Sequence, residues 1–470
     1  WLSLIQVDAR TVSVPFPVPT EAHLFCAGEA AGKLLFVRNT ELFRLQLSDG
    51  SASPVCSLLD MGIDPVSIGA MFCGQDGRLH FLVHEWQRDY KSVRELHVTA
   101  IPQDTVKEGV ELRLGFMEIS TAMKEAVLRF NRGQSSARIT CVDYRNLGGQ
   151  MPEDQLPDLM ILDGEEAGRL SREGRLAALA GTEEEEAALG EVLIPAVRRA
   201  LSDGEGNLNR IAGVFRVESM ACDEETVQTT SLSGIGSLRQ AYQALPAGGK
   251  LYEPWYTRGR LLRDLLRVHT HLTGELLTES DALYGQLDAF AALQPAEYNH
   301  GVYAADTDSV EKRIFDGREL MMAAHIGSML EFKWIDAFFP TGAAFVGWPA
   351  GEGMASLLCF EETVAVSAAC EPEVLEAARC FLRCVVEEEY AEASYGFPAS
   401  ATQMEKLLRD DMAAISWRVD EKGKFVLDKQ GEKIERPRSN WYTPEWRQHF
   451  EYALTEKQYQ KLMDLIDSSV

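Results

Sequence analysis

Two acidic residues, Glu118 and Asp163, stand at the ends of apolar runs that are typical of buried strands. Glu118 follows ELRLGFM at 111–117, and Asp163 is the seventh residue of PDLMILDG at 157–164. In an open parallel sheet, ligands bind beyond the carboxyl ends of the strands, so both carboxylates are expected to reach a ligand. Capping of the helix that follows is the alternative role for each of them.

The residues after Asp163 add further negative charge to the same region. Gly164 begins a predicted helix, and Glu165 and Glu166 fall in its first turn. A helix start normally attracts anions, but here carboxylates already occupy the position and would repel an anionic ligand. Ionised carboxylates accept hydrogen bonds strongly from hydroxyl groups. The pattern therefore favours a neutral, hydroxyl-rich ligand that contacts Gly164 and Glu165 as well as the two acids.

Three aromatic side chains could supply the apolar surface of such a site. Trp348 lies in the glycine- and proline-rich stretch FVGWPAGEGMAS at 345–356, and Trp255 and Tyr256 follow the turn-prone LPAGGK. Ligand pockets commonly combine aromatic side chains with a few polar groups, and a ring face suits the C–H face of a sugar. Packing in the core is the alternative for each ring. If Trp348 is offered from a loop, alanine at this position should weaken binding with little loss of stability.

The sequence contains no motif that is typical of a catalytic or metal centre. G-x-S-x-G, H-E-x-x-H and the Walker A pattern are absent. His269 and His271 are two residues apart on a predicted helix, so they face different directions and cannot share a metal. Paired carboxylates of the glycosidase kind leave an enzyme as a third possibility. Without a nucleophile or a metal set, we expect no enzymatic activity, no catalytic residues, no metal and no cofactor.

Charge and composition limit the classes of partner. The formal net charge of −26 over 470 residues repels nucleic acid and anionic lipid surfaces. No run of 18 apolar residues occurs, as a membrane span would require. The nine cysteines include no C-x-x-C pair, which argues against a zinc knuckle and favours free, buried thiols. The first residue is Trp1 rather than methionine, which suggests that a leader or anchor segment preceded it.

Two regions with different periodicity are evident along the chain. Residues 1–105 have the short alternating runs and turn dipeptides of an all-β module. Two strand–turn–strand units recur there at roughly 45 residues, the spacing of a propeller blade. From residue 111 the order is strand, helix, strand, loop and strand, which predicts a βαβ unit in a parallel sheet. Residues 371–390 and 455–466 have the patterns of an amphipathic helix and of a helix opened by a capping box.

From residue 111 onward the chain resembles the extracellular solute-binding proteins of bacterial ABC importers, specifically the sugar-binding cluster of family 1. Five local patterns occur in the family's order. They are the opening ELRLGFMEISTAMKEAVLRFNRGQSSARITCVDY, the "PD" strand of LPDLMILDGEEAGRLSREGRLAAL, the return strand of RIFDGRELMMAAHI, the glycine loop of FVGWPAGEGMAS and the late ARCFLRCVVEEEYAEASYGFPAS.

The resemblance implies an α/β chain with a two-lobe periplasmic-binding-protein-like fold of type II. A small all-β module with two propeller-blade-like repeats would precede it at 1–105. The resemblance assigns 111–215 and 316–345 to the first lobe, and 220–312 and 355–470 to the second.

The resemblance also implies further ligand contacts and a function. It places Met322 and Ala324 on the return strand beside Glu118 and Asp163, and Trp348 at a crossing loop. The implied function is a receptor that captures a small polar ligand, a carbohydrate, between hinged lobes and delivers it to an ABC permease. We expect a monomeric lipoprotein in an extracellular or periplasmic location. A ligand-sensing ectodomain of the same fold that signals to a membrane partner is the alternative. Family members often have an aromatic residue where this chain has Glu118, which leaves the ligand open.

Overall fold

The computed structural model divides the chain into two compact units, each assembled from several segments. The first unit consists of Trp1–Leu179, Asn209–Ile211 and Glu362–Ala393, and the second of Ala180–Leu208, Ala212–Glu361 and Ser394–Val470. The residues described are 5–6, 11–12, 21–28, 32–74, 78–85, 92–98, 109–133, 136–147, 151–152, 155–180, 182–187, 192–253, 256–297, 308–350, 353–413, 424, 426–427, 429–431 and 453–470.

Strands and helices are numbered in chain order within this part of the chain. The strands are β1 (Ile5–Gln6), β2 (Thr11–Val12), β3 (Ala22–Ala27), β4 (Lys33–Arg38), β5 (Glu41–Gln46), β6 (Ala52–Ser57), β7 (Ile68–Cys73), β8 (Leu79–Glu85), β9 (Ser92–Val98), β10 (Val110–Phe116), β11 (Ala137–Asp143), β12 (Leu159–Leu162), β13 (Arg210–Ile211), β14 (Val214–Asp223), β15 (Met321–Ile326), β16 (Ala343–Phe345), β17 (Trp348–Ala350), β18 (Gly353–Ala355), β19 (Leu357–Cys359), β20 (Thr363–Val366) and β21 (Phe397–Pro398).

The helices follow the same numbering. They are α1 (Thr121–Gly133), α2 (Gly164–Arg172), α3 (Glu183–Ala187), α4 (Pro195–Ala200), α5 (Glu224–Thr230), α6 (Ile235–Gln243), α7 (Arg258–Thr273), α8 (Ala282–Ala291), α9 (Val310–Phe315), α10 (Met329–Phe338), α11 (Pro372–Val386), α12 (Glu388–Ala393), α13 (Ala401–Ala413) and α14 (Glu456–Ser468).

The amino-terminal part of the first unit is an all-β module. β3 to β6 form a four-stranded antiparallel sheet, and β7 to β9 form a three-stranded one. Leu35 and Leu42 from the first sheet share a core with Met71 and Phe81 from the second. The alternating pattern of these strands puts every second side chain on the shared face, as period-two sequences do. The all-β character predicted for residues 1–105 is observed in the part of this region that the structure describes.

The remainder of the first unit is a five-stranded mixed sheet. β10 pairs in parallel with β11 on one side and with β12 on the other. β20 runs antiparallel between β12 and β13, which gives the order β11-β10-β12-β20-β13. The helices α1 and α11 pack together through an edge-on contact of Phe130 with Phe381, whose ring centroids are 5.6 Å apart. The predicted βαβ unit is thus present at β10, α1 and β11.

The second unit is built around the ten-residue strand β14. β15 lies on one side of it, β16 and β19 pair with its other side, and β21 pairs with its first residues, all antiparallel. Tyr252, Leu261 and Phe290 belong to its buried core together with Trp348. Two compact α/β units, the first of which begins with an all-β module, agree with the fold class predicted from the sequence.

Two strands, β15 and β20, each lie in the unit opposite to the one expected. The sequence places the return strand at 321–326 in the first lobe, but β15 pairs with β14 in the second unit. The antiparallel strand of the first sheet is instead β20, whose Thr363 and Val366 pair with Leu162 and Leu159. Both segments are short apolar runs, and their partners lie more than 90 residues away in sequence, so local periodicity does not distinguish them.

Candidate functional site

The carboxyl ends of β10 and β12 bring Glu118 and Asp163 to one edge of the first sheet. Leu114 and Leu159 are partners in parallel register. Glu118 and Asp163 each follow their member of this pair by the same interval, 114 to 118 and 159 to 163. Both carboxylates are exposed. The two residues therefore follow neighbouring parallel strands at equal intervals from a register pair, and their contact with one ligand stays a prediction.

Asp163 is also the N-cap of α2. One carboxylate oxygen, Oδ1, accepts a hydrogen bond of 2.8 Å from the backbone N–H of Glu166. Gly164 is exposed as the first residue of α2, and the side chain of Glu165 lies outside the described residues. Because a carboxylate has a second oxygen, the capping role and a ligand contact are compatible at Asp163.

Sequence patterns do not point to Glu362, whose carboxylate lies at the start of α1. It accepts hydrogen bonds from the backbone N–H of Ser120 and, at 2.6 Å, from the Ser120 hydroxyl. The Tyr390 hydroxyl donates to the same carboxylate at 3.2 Å. Ser120 in turn accepts from the backbone N–H of Met123 at 3.1 Å, as expected for a cap. Glu362 is 242 residues from Ser120, so no local sequence signal could have identified it.

Arg145 supplies a cation near Glu118, but a buried acid engages it. Its guanidinium makes two hydrogen bonds to the Asp143 carboxylate, at 3.0 and 2.7 Å. These bonds raise the pKa of Arg145, with smaller contributions from the charges of Asp143 and Glu118. The Asp143 carboxylate also accepts from the Thr40 hydroxyl at 3.2 Å.

These contacts define what the edge can do chemically. The N-terminus of α1 could attract an anion, but the Glu362 carboxylate already occupies it. The nearby Arg145 guanidinium is hydrogen-bonded to Asp143. Glu118 and Asp163 remain exposed as hydrogen-bond acceptors. The edge is therefore suited to hydroxyl donors or to cations and unsuited to anions.

Aromatic residues of the second unit form a packed group. The rings of Tyr252 and Tyr256 are 5.6 Å apart, and those of Tyr256 and Trp348 are 6.3 Å apart. The Tyr256 hydroxyl donates to the Asp264 carboxylate, and the Arg260 guanidinium lies 4.8 Å from the Tyr256 ring centroid. Trp255, the remaining predicted aromatic contact, lies outside the described residues. The structure thus brings Tyr256 and Trp348 together, as parts of a core.

Trp348 does not lie on an open loop. It begins β17, which forms a hairpin with β18, and its side chain is 0% exposed. Gly347 precedes it with a φ of +79°, where an added Cβ would approach the Ala355 backbone to 2.5 Å. The stretch that was expected to cross between lobes belongs wholly to the second unit. Glycine here allows close backbone packing, so the tryptophan takes the core role that was its alternative.

Met322 and Ala324 also lie elsewhere than expected. They pair with Ala221 and Ser219 of β14, so they do not join the sheet that carries Glu118. Ala324 is fully buried, whereas Met322 is half-buried. The reason is the strand exchange described above, in which β20 takes the place assigned to the return strand.

Two of the carboxyl groups buried in the described part of the second unit have raised pKa values. Burial raises the pKa of Glu253 to about 7, and burial likewise raises that of Glu319 to about 7 against the opposing effect of Arg313. The Arg313 Nε–H donates to Glu319 at 2.8 Å. Oε2 of Glu253 and the indole Nε1 of Trp348 are buried without a hydrogen-bond partner among the described residues.

Two further features are missing from the described part of the chain. Its His, Cys, Asp and Glu residues include no group of three that could hold a metal ion. Among the helices described, none is both long and apolar enough to cross a membrane.

The chain is similar to several solved structures. A family 1 extracellular solute-binding protein from Bifidobacterium longum subsp. infantis has 12% identity and a TM-score of 0.39, with 63% of this chain and 83% of that chain covered. Another, from Alicyclobacillus acidocaldarius subsp. acidocaldarius, has 12% identity and a TM-score of 0.38, with 77% and 87% covered. Thiaminase I from Bacillus thiaminolyticus has 15% identity and a TM-score of 0.38, with 64% and 89% covered.

No protein-family model and no curated protein matches the chain. The solved structures to which it is similar include family 1 extracellular solute-binding proteins, the class that its sequence motifs resemble.

Proposed function

We propose that this chain is an extracellular solute-binding receptor that captures a small polar ligand, a carbohydrate, and delivers it to an ABC permease. The observation that supports it most is the assembly of the first sheet. β20 comes late in the chain, but it pairs with β12 and so completes the sheet that β10, β11 and β12 begin. The chain thereby passes repeatedly between two compact α/β units. Units joined in this way can couple ligand binding to hinge motion.

The ligand contacts that we propose begin at the carboxyl ends of β10 and β12. Glu118 and Asp163 accept hydrogen bonds from ligand hydroxyls, and the exposed backbone at Gly164 and the neighbouring Glu165 extend the same edge. Tyr256 and Trp348 are buried in the second unit and support its core in this proposal. Met322, which is half-buried, and Trp255 stay as predicted contacts.

A paired substitution tests this site. A thermal-shift screen of monosaccharides, disaccharides, polyols and amino sugars first identifies a ligand. The double variant Glu118→Gln, Asp163→Asn should then bind that ligand at least about tenfold more weakly in calorimetry, because two charge-assisted hydrogen bonds are lost. Asparagine at position 163 still caps α2, so the melting temperature without ligand should change little.

Glu111→Gln provides the matched control. Glu111 is an exposed carboxylate at the opposite end of β10, and its variant should bind as the wild type does. A screen in which no carbohydrate or polyol raises the melting temperature would refute the carbohydrate proposal. Unchanged affinity in the double variant would place the site elsewhere while leaving the receptor function standing.

A ligand sensor is the second candidate, and one observation favours it. The β module is hydrogen-bonded to the sheet that carries Glu118, through Thr40 to Asp143 and Asp60 to Cys141. A module attached in this way could transmit a change in the sheet to a partner. Hydrogen exchange in β3 to β6 that changes when ligand binds would favour the sensor, and unchanged exchange would favour the importer.

A further inference from the structure

The two sheets of the β module meet along strands that are not hydrogen-bonded to each other. β3 is an edge strand of the four-stranded sheet, and β7 is an edge strand of the three-stranded sheet. Cα atoms of the two strands approach within 8 Å. Side-chain contacts therefore hold this seam, without a backbone ladder.

One cysteine from each strand lies at the seam. Cys26 is the second-last residue of β3, and Cys73 is the last residue of β7. A β-bulge between His23 and Cys26 shifts the register of β3, and such bulges redirect the side chains that follow them. Cys26 faces the module core, where its thiol donates to the Ala27 carbonyl oxygen at 3.4 Å and where the Cys73 thiol lies close enough to affect its ionisation. Both residues are half-buried, so a small oxidant can reach them.

The other seven thiols, all within the described residues, have different surroundings. The Cys56 thiol contacts the Met61 sulfur at 3.7 Å, and the Cys370 thiol contacts the Asp158 carbonyl oxygen at 3.7 Å. Cys380 and Cys384 lie one turn apart on α11. A disulfide requires its two Cα atoms to lie about 4.4–6.8 Å apart, with the Cβ atoms turned toward each other. Cys26 and Cys73 are the pair that two neighbouring edge strands bring next to each other.

We infer that Cys26 and Cys73 form a disulfide that joins the two sheets of the β module when a small disulfide such as oxidised glutathione is present. One of the two thiolates attacks a glutathione sulfur and releases one reduced glutathione. The other thiolate then attacks the resulting mixed disulfide and releases the second. Two electrons pass to the glutathione disulfide, and the two cysteine protons go to the two leaving thiolates.

The reaction should accelerate as the pH rises. Burial, followed by the proximity of Cys73, raises the pKa of Cys26 to about 11. The thiolate is the attacking species, so its fraction at Cys26 grows roughly tenfold for each pH unit below that value. The rate of disulfide formation should follow this fraction, at fixed glutathione concentration, through the neutral and mildly alkaline range.

Thiol counting and peptide mapping test the inference on the full chain. After incubation with oxidised glutathione, the count of free thiols under denaturing conditions should fall by two, from nine to seven. A non-reducing digest should contain one linked pair of peptides, those with Cys26 and Cys73. The oxidised chain should melt at a higher temperature than the reduced chain, because the link constrains the unfolded state.

Single variants complete the experiment. Cys26→Ser and Cys73→Ser should each keep all eight remaining thiols and show no rise in melting temperature on oxidation. Cys380→Ser, on α11 of the same unit, should still lose two thiols. An unchanged thiol count in the wild type, glutathione adducts without a link, or a link that involves another cysteine would each overturn the inference. If a variant fails to fold, the non-reducing peptide map of the wild type alone shows whether Cys26 and Cys73 are linked.

Discussion

Two buried carboxyl groups, Glu253 and Glu319, make the stability of the second unit depend on pH. Burial raises the pKa of each to about 7 from the ordinary value of 4.5. Glu218 behaves differently, because the neighbouring His325 and the hydrogen-bonded Arg267 guanidinium outweigh its burial and lower its pKa to about 2. A carboxyl group that holds its proton more tightly in the folded chain stabilises the fold at low pH. That contribution is lost as the pH rises from the unfolded toward the folded pKa.

The free energy of unfolding should therefore fall, through these groups, between about pH 4.5 and about pH 7. Glu253→Gln removes one of the two titrating groups. Relative to the wild type, this variant should gain about 2–3 kcal/mol between about pH 5 and about pH 7.5. Urea unfolding at a series of pH values measures the difference. Glu275→Gln, at an exposed position of the same unit, should follow the wild type throughout. Parallel curves for Glu253→Gln and wild type would contradict the prediction.

Trp348 has a packing role whose loss is measurable. Its side chain is fully buried beside Tyr256 in the core of the second unit. Trp348→Ala should lower the free energy of unfolding by about 3–5 kcal/mol, as is usual for large aromatic residues in a core. Trp334→Ala is the control, because Trp334 is 38% exposed on α10 and should cost about 1 kcal/mol. Wild-type stability together with weakened ligand binding in Trp348→Ala would instead restore the ligand-contact role.

The residues of the candidate site differ in how far the sequence could predict them. Glu118 and Asp163 could be predicted because each follows a recognisable strand, and the position of a residue after a strand is a local property of the sequence. Glu362 could not be predicted, since its role depends on contact with Ser120, which is 242 residues away in the sequence. Trp348 was ambiguous, because glycines that suggest a loop also permit a tight hairpin.

At the level of elements, the β module covers the edge strand of the mixed sheet. The Asp60 carboxylate accepts a hydrogen bond of 2.8 Å from the backbone N–H of Cys141 in β11, and the Arg138 guanidinium donates to the Asp60 carbonyl oxygen. An uncovered edge strand presents unpaired backbone groups to solvent or to other chains. The module therefore contributes to the first unit as a cover for its edge.

Asp60→Ala should uncover part of that edge. The buried N–H of Cys141 would lose its acceptor, which should cost about 1–3 kcal/mol of unfolding free energy. Hydrogen exchange should accelerate in β11 and remain unchanged in β14 of the second unit. Asp49→Ala serves as the control, because the Asp49 carboxylate hydrogen-bonds to Ser51 within its own turn. Exchange in β11 that is equally slow in both variants would show that the edge does not depend on Asp60.

The types of most elements were predictable from periodicity, whereas strand partners were not. α1, α11 and α14 have amphipathic patterns, and the capping box of α14 at Thr455 and Gln458 forms as expected. The exchange of β15 and β20 between units shows the limit. Strand pairing over long sequence separations depends on which surfaces remain to be covered, and a short apolar run does not specify its partner.

At the scale of the whole molecule, the net charge of −26 acts on every part of the fold. Ion pairs such as Lys461 with Glu224 and Asp336, and Lys333 with Asp411, offset some of it within the second unit. Excess charge of one sign destabilises a compact state through self-repulsion, since unfolding moves the charges apart. Dissolved salt screens this repulsion over about 10 Å at an ionic strength of about 0.1 M.

The melting temperature of the full chain should therefore rise as sodium chloride increases from about 10 mM to about 150 mM, by a few degrees. Self-repulsion weakens over this range, whereas partly buried pairs such as Lys333 with Asp411 are screened less and keep most of their attraction. Differential scanning calorimetry at constant pH measures the shift. Choline chloride at equal ionic strength should give the same rise, because screening depends on charge and concentration and not on a specific ion. A melting temperature that falls with salt would mean that exposed ion pairs outweigh the net repulsion, and a rise with sodium alone would indicate a bound cation.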